Sequence, residues 1–105
     1  MSNFDFDALM KQAQAMQSEM MQIQDQLAET IYTGNNGGST GVTVKINGNN
    51  EAQEVIIPEE LMNPEDREML QDMIMIAFND ALDKANEDRE RRLGKFTQGA
   101  GLPNF

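Results

Sequence analysis

The chain has no cysteine, no histidine and no tryptophan, and only three prolines among its 105 residues. Without cysteine and histidine it cannot form disulfides, thiolate nucleophiles, imidazole acid–base pairs or the usual zinc sites. An enzyme would have to use carboxylates or a lysine in a perturbed environment, and the sequence contains no such constellation. We therefore expect no enzymatic activity, no metal, no cofactor and no small-molecule substrate.

Long apolar runs and basic residues are also scarce. No stretch approaches the roughly 20 apolar residues that cross a bilayer, and the first residues are acidic where a signal peptide would be basic. This pattern predicts a cytoplasmic protein that does not contact membranes. The 18 acidic and 8 basic residues give a net charge of −10, which taken alone disfavours nucleic acids because they attract clustered Lys and Arg.

The most informative pattern is an apolar stripe with heptad spacing near the start of the chain. Alternating spacings of four and three residues place six side chains on one narrow face of a helix over residues 5–30, roughly 39 Å long. The rest of the chain is too small to cover that length, so the stripe predicts packing in the core and against a second chain. Its residues are Leu9, Ala13, Met16, Met20, Ile23 and Leu27.

Alternation and turn residues then predict a three-stranded antiparallel sheet. Val42, Val44 and Ile46 alternate with polar residues, as in a half-buried strand, and Asn47-Gly48 predicts a hairpin turn. The glycine-rich segment before these residues lacks the Gly-Lys-Ser/Thr ending of a phosphate loop and is expected to connect strands. The strands are expected at residues 31–33, 40–46 and 51–57.

A second long helix is expected after the sheet. Asn63 and Pro64, followed by acidic residues, are typical of a helix start, a broad apolar face follows, and Gly94 marks the expected end. The element order predicts an α+β fold of a long helix, a three-stranded antiparallel sheet and a long helix. We expect a single domain over residues 1–96 and a flexible tail over residues 97–105.

The lengths of these elements do not match. A strand of six residues spans roughly 20 Å, about half the length of the first helix, so one end of that helix must overhang the sheet. A three-stranded sheet also has exposed edges that a second copy can protect. We therefore expect an obligate homodimer whose helix ends project from a shared sheet core.

The basic residues are concentrated in the second helix. Two interpretations remain open: they contact phosphates, or they complement the C-terminal helix dipole and pair with acids, as in Glu87–Arg91 and Asp88–Arg92. Five of the eight fall within twelve residues, and these are Lys84, Arg89, Arg91, Arg92 and Lys95.

Segments that carry a family resemblance extend over nearly the whole chain. They are Met10-Lys11-Gln12-Ala13-Gln14-Ala15-Met16-Gln17, Thr33-Gly34, Gly41-Val42-Thr43-Val44-Lys45-Ile46-Asn47-Gly48, Val55-Ile56-Ile57-Pro58, Glu68-Met69-Leu70-Gln71-Asp72-Met73-Ile74 and Ala77-Phe78-Asn79-Asp80-Ala81. In this order they resemble the YbaB/EbfC family of bacterial nucleoid-associated DNA-binding proteins.

The resemblance implies a tweezer-like homodimer that binds duplex DNA through its projecting helices and takes part in nucleoid organisation or gene regulation. It implies a nucleoid location, and DNA contacts by Lys11 on the first helix and by Lys84, Arg89, Arg91, Arg92 and Lys95 on the last. The first 30 residues carry one base and five acids. The alternative is therefore an acidic, dimeric scaffold protein of the same fold that binds a protein partner and not DNA.

Overall fold

The computed structural model describes the backbone of residues 2–99 and the side chains of residues 5–96. Along the chain, one long helix precedes a three-stranded sheet and a second long helix follows it, which confirms the predicted α+β class and element order. Three short 3₁₀ turns connect the other elements. The elements are α1 (Ser2–Glu29), β1 (Ile31–Asn36), β2 (Val42–Asn47), β3 (Ala52–Ile56) and α2 (Arg67–Gly99).

The sheet is antiparallel with strand order β1-β2-β3. The predicted alternation is confirmed, because Val42, Val44 and Ile46 of β2 are fully buried. On β1, Tyr32 pairs with Ile46 and Gly34 pairs with Val44, so these residues share the buried face. This face packs against α2 and forms the hydrophobic core.

The close approach of α2 to the sheet depends on small residues. Ala77, Ala81 and Ala85 are buried on the helix, and a Cβ built on Gly34 would lie 2.0 Å from the Ala77 carbonyl oxygen. Gly34 therefore belongs to a strand that touches the helix backbone. The prediction that the strand ends before this glycine is wrong, since β1 continues to Asn36.

The predicted hairpin after β2 is present, but its turn is longer than two residues. The Asn47 amide donates to the Glu51 carbonyl and the Asn50 amide donates to the Asn47 carbonyl. The left-handed backbone falls on Asn50, with a φ of 63°. Gly48 has a different role, because a Cβ there would lie 1.8 Å from the Leu27 carbonyl oxygen of α1.

The second helix differs from its predicted limits at both ends. A 3₁₀ turn over Pro64–Asp66 precedes α2, and the Asn63 side chain makes no capping hydrogen bond. At the other end α2 includes Gly94 and continues to Gly99, so the predicted end at Gly94 is wrong. Residues 97–99 of the predicted tail are helical, and residues 100–105 lie outside the described part of the chain.

The first helix overhangs the rest of the fold, as its length predicted. Leu27 is buried and Ile23 packs against the core, Met16 and Met20 are half-buried, and Ala13 is exposed. Leu9, near the start of the stripe, is 62% exposed. Only the C-terminal part of the stripe is thus covered within one chain, and the molecule measures 76 × 24 × 17 Å.

Candidate nucleic-acid interface

The second half of α2 carries five of the six residues predicted to bind DNA, and it lies beside the C-terminal part of α1. Lys95 Nζ is 3.9 Å from a carboxylate oxygen of Glu19 on α1. The sixth residue, Lys11, is exposed on α1 eight residues before Glu19, roughly 12 Å farther along the helix axis. Among the described residues, Lys11 makes no ion pair.

Asp88 is at the centre of the basic segment and is only 9% exposed. Its Oδ2 accepts a hydrogen bond from the Tyr32 hydroxyl at 2.7 Å and forms an ion pair with Arg92 Nη2 at 3.1 Å. Its Oδ1 accepts from Arg92 Nε at 3.1 Å and from Arg91 Nη2. These four residues, Asp88, Tyr32, Arg91 and Arg92, are called the Asp88 cluster below.

Neighbouring groups shift the pKa values of both acids of the cluster. The hydrogen bond from Tyr32 lowers the pKa of Asp88, the two arginines lower it further, and burial opposes them. Burial raises the pKa of Tyr32, and the hydrogen bond to Asp88 and the charge of that carboxylate add to the rise. At neutral pH Asp88 is therefore a carboxylate that accepts from a protonated phenol and two guanidinium groups.

Arg89 connects α2 to the turn between β2 and β3. Its Nη2 donates to the Gly48 carbonyl at 2.6 Å, and its Nη1 donates to the Asn86 side chain at 2.8 Å. Charge-assisted hydrogen bonds of this kind are stronger than neutral ones. The Arg89 guanidinium is therefore committed to the fold.

Lys84 and Asp80 cover the outer edge of β1. Lys84 Nζ donates to the Thr33 carbonyl at 2.9 Å and lies 3.2 Å from Asp80 Oδ2. The same carboxylate accepts the Asn35 amide proton at 3.1 Å, and this bond is the main cause of the lowered pKa of Asp80. Asp80 and Lys84 therefore join α2 to the backbone of β1.

The predicted cations differ in how freely they could reach a ligand. The side chains of Arg91 and Lys95 are 74% and 62% exposed, whereas that of Arg92 is 31% exposed. The ion pair of Lys95 with the exposed Glu19 carboxylate contributes little stability, so Lys95 can exchange this partner for another. Arg91 is exposed, but its partner Asp88 is nearly buried. Arg89 is held by two hydrogen bonds, and Arg92 is held by one hydrogen bond and one ion-pair contact to Asp88.

The sequence pattern predicted a local pair of Asp88 with Arg92, and this pair is confirmed. The expected partner of Arg91 was Glu87, but Arg91 pairs with Asp88 instead. The bond from Tyr32 to Asp88 was not anticipated. A signal for it exists, because Asp88 continues the spacing of Ala77, Ala81 and Ala85 and so lies on the buried side of α2.

The described residues contain neither a candidate metal site nor a candidate membrane span. No group of three or more Asp or Glu side chains there could hold a metal ion. No helix in the same part of the chain is long and apolar enough to cross a membrane.

Comparison with known proteins gives this arrangement a family. The model of the YbaB/EbfC DNA-binding family matches residues 1–100. The chain belongs to the YbaB/EbfC DNA-binding family. The resemblance seen in the sequence segments is thereby confirmed.

Individual members agree with this assignment. A nucleoid-associated protein of Rickettsia felis is 42% identical over 99 residues, which cover 94% of this chain and 92% of that protein. A nucleoid-associated protein of Chloroflexus aurantiacus is 45% identical over 91 residues, covering 87% of this chain and 90% of that protein. The crystal structure of an uncharacterized protein from Helicobacter pylori has 30% identity and a TM-score of 0.71, and the match covers 87% of this chain and 95% of that one.

Membership of the YbaB/EbfC family fixes the broad function. The family is one of nucleoid-associated DNA-binding proteins and not of enzymes, in agreement with the expectation drawn from the sequence. The Helicobacter pylori structure shares the helix–sheet–helix fold.

Proposed function

We propose that this protein binds duplex DNA as a homodimer in the cytoplasm, at the nucleoid, and that it helps to organise the nucleoid or to regulate genes. The observation that carries the proposal is the match of the YbaB/EbfC DNA-binding family over residues 1–100. The location of five basic residues on one stretch of α2, beside α1, supports it further.

The exposed cations are the best candidates for phosphate contact. Arg91 and Lys95 have the most exposed side chains among the α2 cations that make ion pairs, and Lys11 is exposed on the overhanging part of α1. Contacts to phosphates position a protein on DNA without reading its sequence. We therefore propose binding through charge and shape with little base readout.

The free edge of β3 is the proposed dimer interface. Every residue of β3 is exposed, and Val55 and Ile56 are 47% and 42% exposed on opposite faces of the strand. The other edge of the sheet, on β1, is occupied by Lys84 and Asp80. An open edge with apolar side chains favours pairing with a second copy.

A salt titration of DNA binding tests the function. Fluorescence anisotropy with a labelled duplex of random sequence should show binding at about 50 mM salt, and log K should fall linearly with log salt concentration. The double substitution Arg91→Gln and Lys95→Gln should weaken binding and reduce the slope by up to about two per protomer, since each phosphate contact contributes about one.

A matched variant controls for net charge. Lys45→Gln with Arg67→Gln removes two cations elsewhere, one from the sheet and one from the start of α2, and should leave the slope unchanged. Equal effects of both double variants would show that Arg91 and Lys95 are not the contact residues. No binding by the wild-type protein at about 50 mM salt would sink the DNA proposal.

The alternative function is a scaffold protein that binds a protein partner. The net charge of −10 and the internal partners of the α2 cations favour it. Absence of DNA binding combined with a stable homodimer is the result expected under this alternative.

A further inference from the structure

The Asp88 cluster places a buried negative charge directly against two of the cations proposed to bind DNA. Arg92 uses both Nε and Nη2 on the two carboxylate oxygens, each at 3.1 Å. Arg91 donates to Oδ1 of the same carboxylate. Guanidinium groups bind carboxylate and phosphate with the same fork of N–H donors, so Asp88 occupies donors that a phosphate would need.

Tyr32 fixes the carboxylate in this position. Its hydroxyl donates to Oδ2 at 2.7 Å from a buried place on β1, so Asp88 cannot turn away from the arginines without breaking a bond to the sheet. The restraint is therefore built into the contact between β1 and α2. It does not depend on a flexible surface pair.

We propose that Asp88 is a positioning residue that restrains DNA binding, because its carboxylate holds Arg91 and Arg92 in contacts that compete with phosphate. This inference rests on the proposed function. It means that Asp88 lowers the affinity for DNA without itself contacting DNA. It has a direct consequence: removing the charge of Asp88 frees two guanidinium groups and strengthens binding.

The test is Asp88→Asn, which keeps the shape of the side chain and an oxygen that accepts from Tyr32. Anisotropy titrations with the same random-sequence duplex should show affinity at least several-fold higher than wild type at about 100 mM salt. The slope of log K against log salt concentration should become steeper by up to about two per protomer, since Arg91 and Arg92 are both released for phosphate contacts.

Glu90→Gln is the matched control. It removes one negative charge two residues away, from an exposed side chain that makes no ion pair among the described residues. A larger gain for Asp88→Asn than for Glu90→Gln supports the restraint. Equal gains would reduce it to an effect of net charge, and weaker binding by Asp88→Asn would show that the carboxylate orders the arginines for DNA.

A second variant covers the case in which Asp88→Asn does not fold. Asp88→Leu combined with Tyr32→Phe replaces both polar partners of the buried bond by apolar side chains, which costs less than leaving one of them unpaired. Circular dichroism establishes folding, and the Arg Nε–Hε signals in ¹⁵N NMR spectra should show that Arg92 becomes mobile only in variants without Asp88. An Arg92 signal that stays ordered in those variants would overturn the restraint.

The DNA results separate the two proposals. If the wild type binds and Asp88→Asn binds no more tightly than Glu90→Gln, only the restraint fails. If the wild type does not bind but Asp88→Asn does, the restraint stands and accounts for the weakness of the wild type. If neither binds at about 50 mM salt, both proposals fail.

Discussion

Single glycines and acids decide how the elements of this protein fit together. Gly34 lets the backbone of β1 touch α2 at Ala77 and Ala81, where a Cβ would lie 2.0 Å from one backbone atom and 2.4 Å from another. A position of this kind is limited by contact and not by backbone conformation, since its φ is not in the left-handed region. No other residue type fits without moving the helix.

We expect Gly34→Ala to destabilise the fold. The added methyl group must push α2 from the sheet, and overpacking of a core typically costs about 1–3 kcal/mol. Urea denaturation at one fixed protein concentration measures the change. Gly94→Ala serves as the comparison, because a Cβ at Gly94 meets nothing within 4 Å and alanine favours a helix interior by about 1 kcal/mol over glycine.

The two glycine variants should therefore change the free energy of unfolding in opposite directions. A Gly34→Ala protein as stable as the wild type would contradict the close approach of β1 and α2. Loss of stability in Gly94→Ala would contradict an uninterrupted α2 at that position.

At the scale of elements, one side chain organises the connection between β1 and β2. Asn35 Nδ2 donates to the carbonyls of Gly38 and Val42 and to the Thr43 hydroxyl, at 3.1, 3.2 and 2.8 Å. Its Oδ1 accepts the Gly38 amide proton at 2.6 Å. The glycine-rich segment is therefore a structured turn that closes the β1–β2 pair.

Asn35→Ala should lower the free energy of unfolding by about 1–3 kcal/mol, because it leaves several backbone groups of the turn without their partner. Thermal and urea denaturation report the loss. The matched control is Asn49→Ala in the β2–β3 turn, whose exposed side chain makes no hydrogen bond among the described residues, and its effect should stay within about 0.5 kcal/mol. Equal losses in both variants would refute the special role of Asn35.

The elements themselves were largely predictable, and their contacts were not. Alternation along Val42, Val44 and Ile46 identified the central strand because burial on one face leaves a period of two. The extension of β1 past Gly34 was missed because glycine and asparagine favour turns, whereas here close packing against α2 requires the glycine.

The candidate site was predictable only as a charge cluster. Spacing in sequence predicted the pairing of Asp88 with Arg92, since residues four apart are neighbours on a helix. The partners of Arg89 and Lys84 are backbone carbonyls of Gly48 and Thr33. Such contacts depend on how α2 crosses the sheet, which no local pattern encodes.

At the scale of the whole molecule, side chains of α2 cover one edge of the sheet, and the other edge is exposed. Outward-facing backbone groups of β1 at Thr33 and Asn35 are bound by side chains of α2. The five residues of β3 are all exposed, and the partly uncovered stripe of α1 adds further apolar surface, with Leu9 62% exposed. Apolar surface left open on one side of an elongated chain is typical of an interaction site.

Val55→Lys should convert the proposed homodimer to monomers, because it places a charge in the apolar contact beside the open edge. Ile31→Lys is the matched control: Ile31 is 50% exposed, close to the 47% of Val55, but lies on β1. Sedimentation velocity at low micromolar concentration measures the mass. A monomeric wild type would disprove the homodimer, and dissociation by Ile31→Lys alone would move the interface to β1.

Gly48, in the turn between β2 and β3, contacts both long helices. Gly48 lies against the Leu27 carbonyl of α1 and is bonded through its own carbonyl to Arg89 of α2. The part of α1 from Leu27 back to its N-terminus is about 38 Å long. A side chain at position 48 that displaced Leu27 by about 1 Å over one helical turn of about 5.4 Å would swing the tip by about 7 Å. A single glycine thus sets the direction in which the projecting helix points.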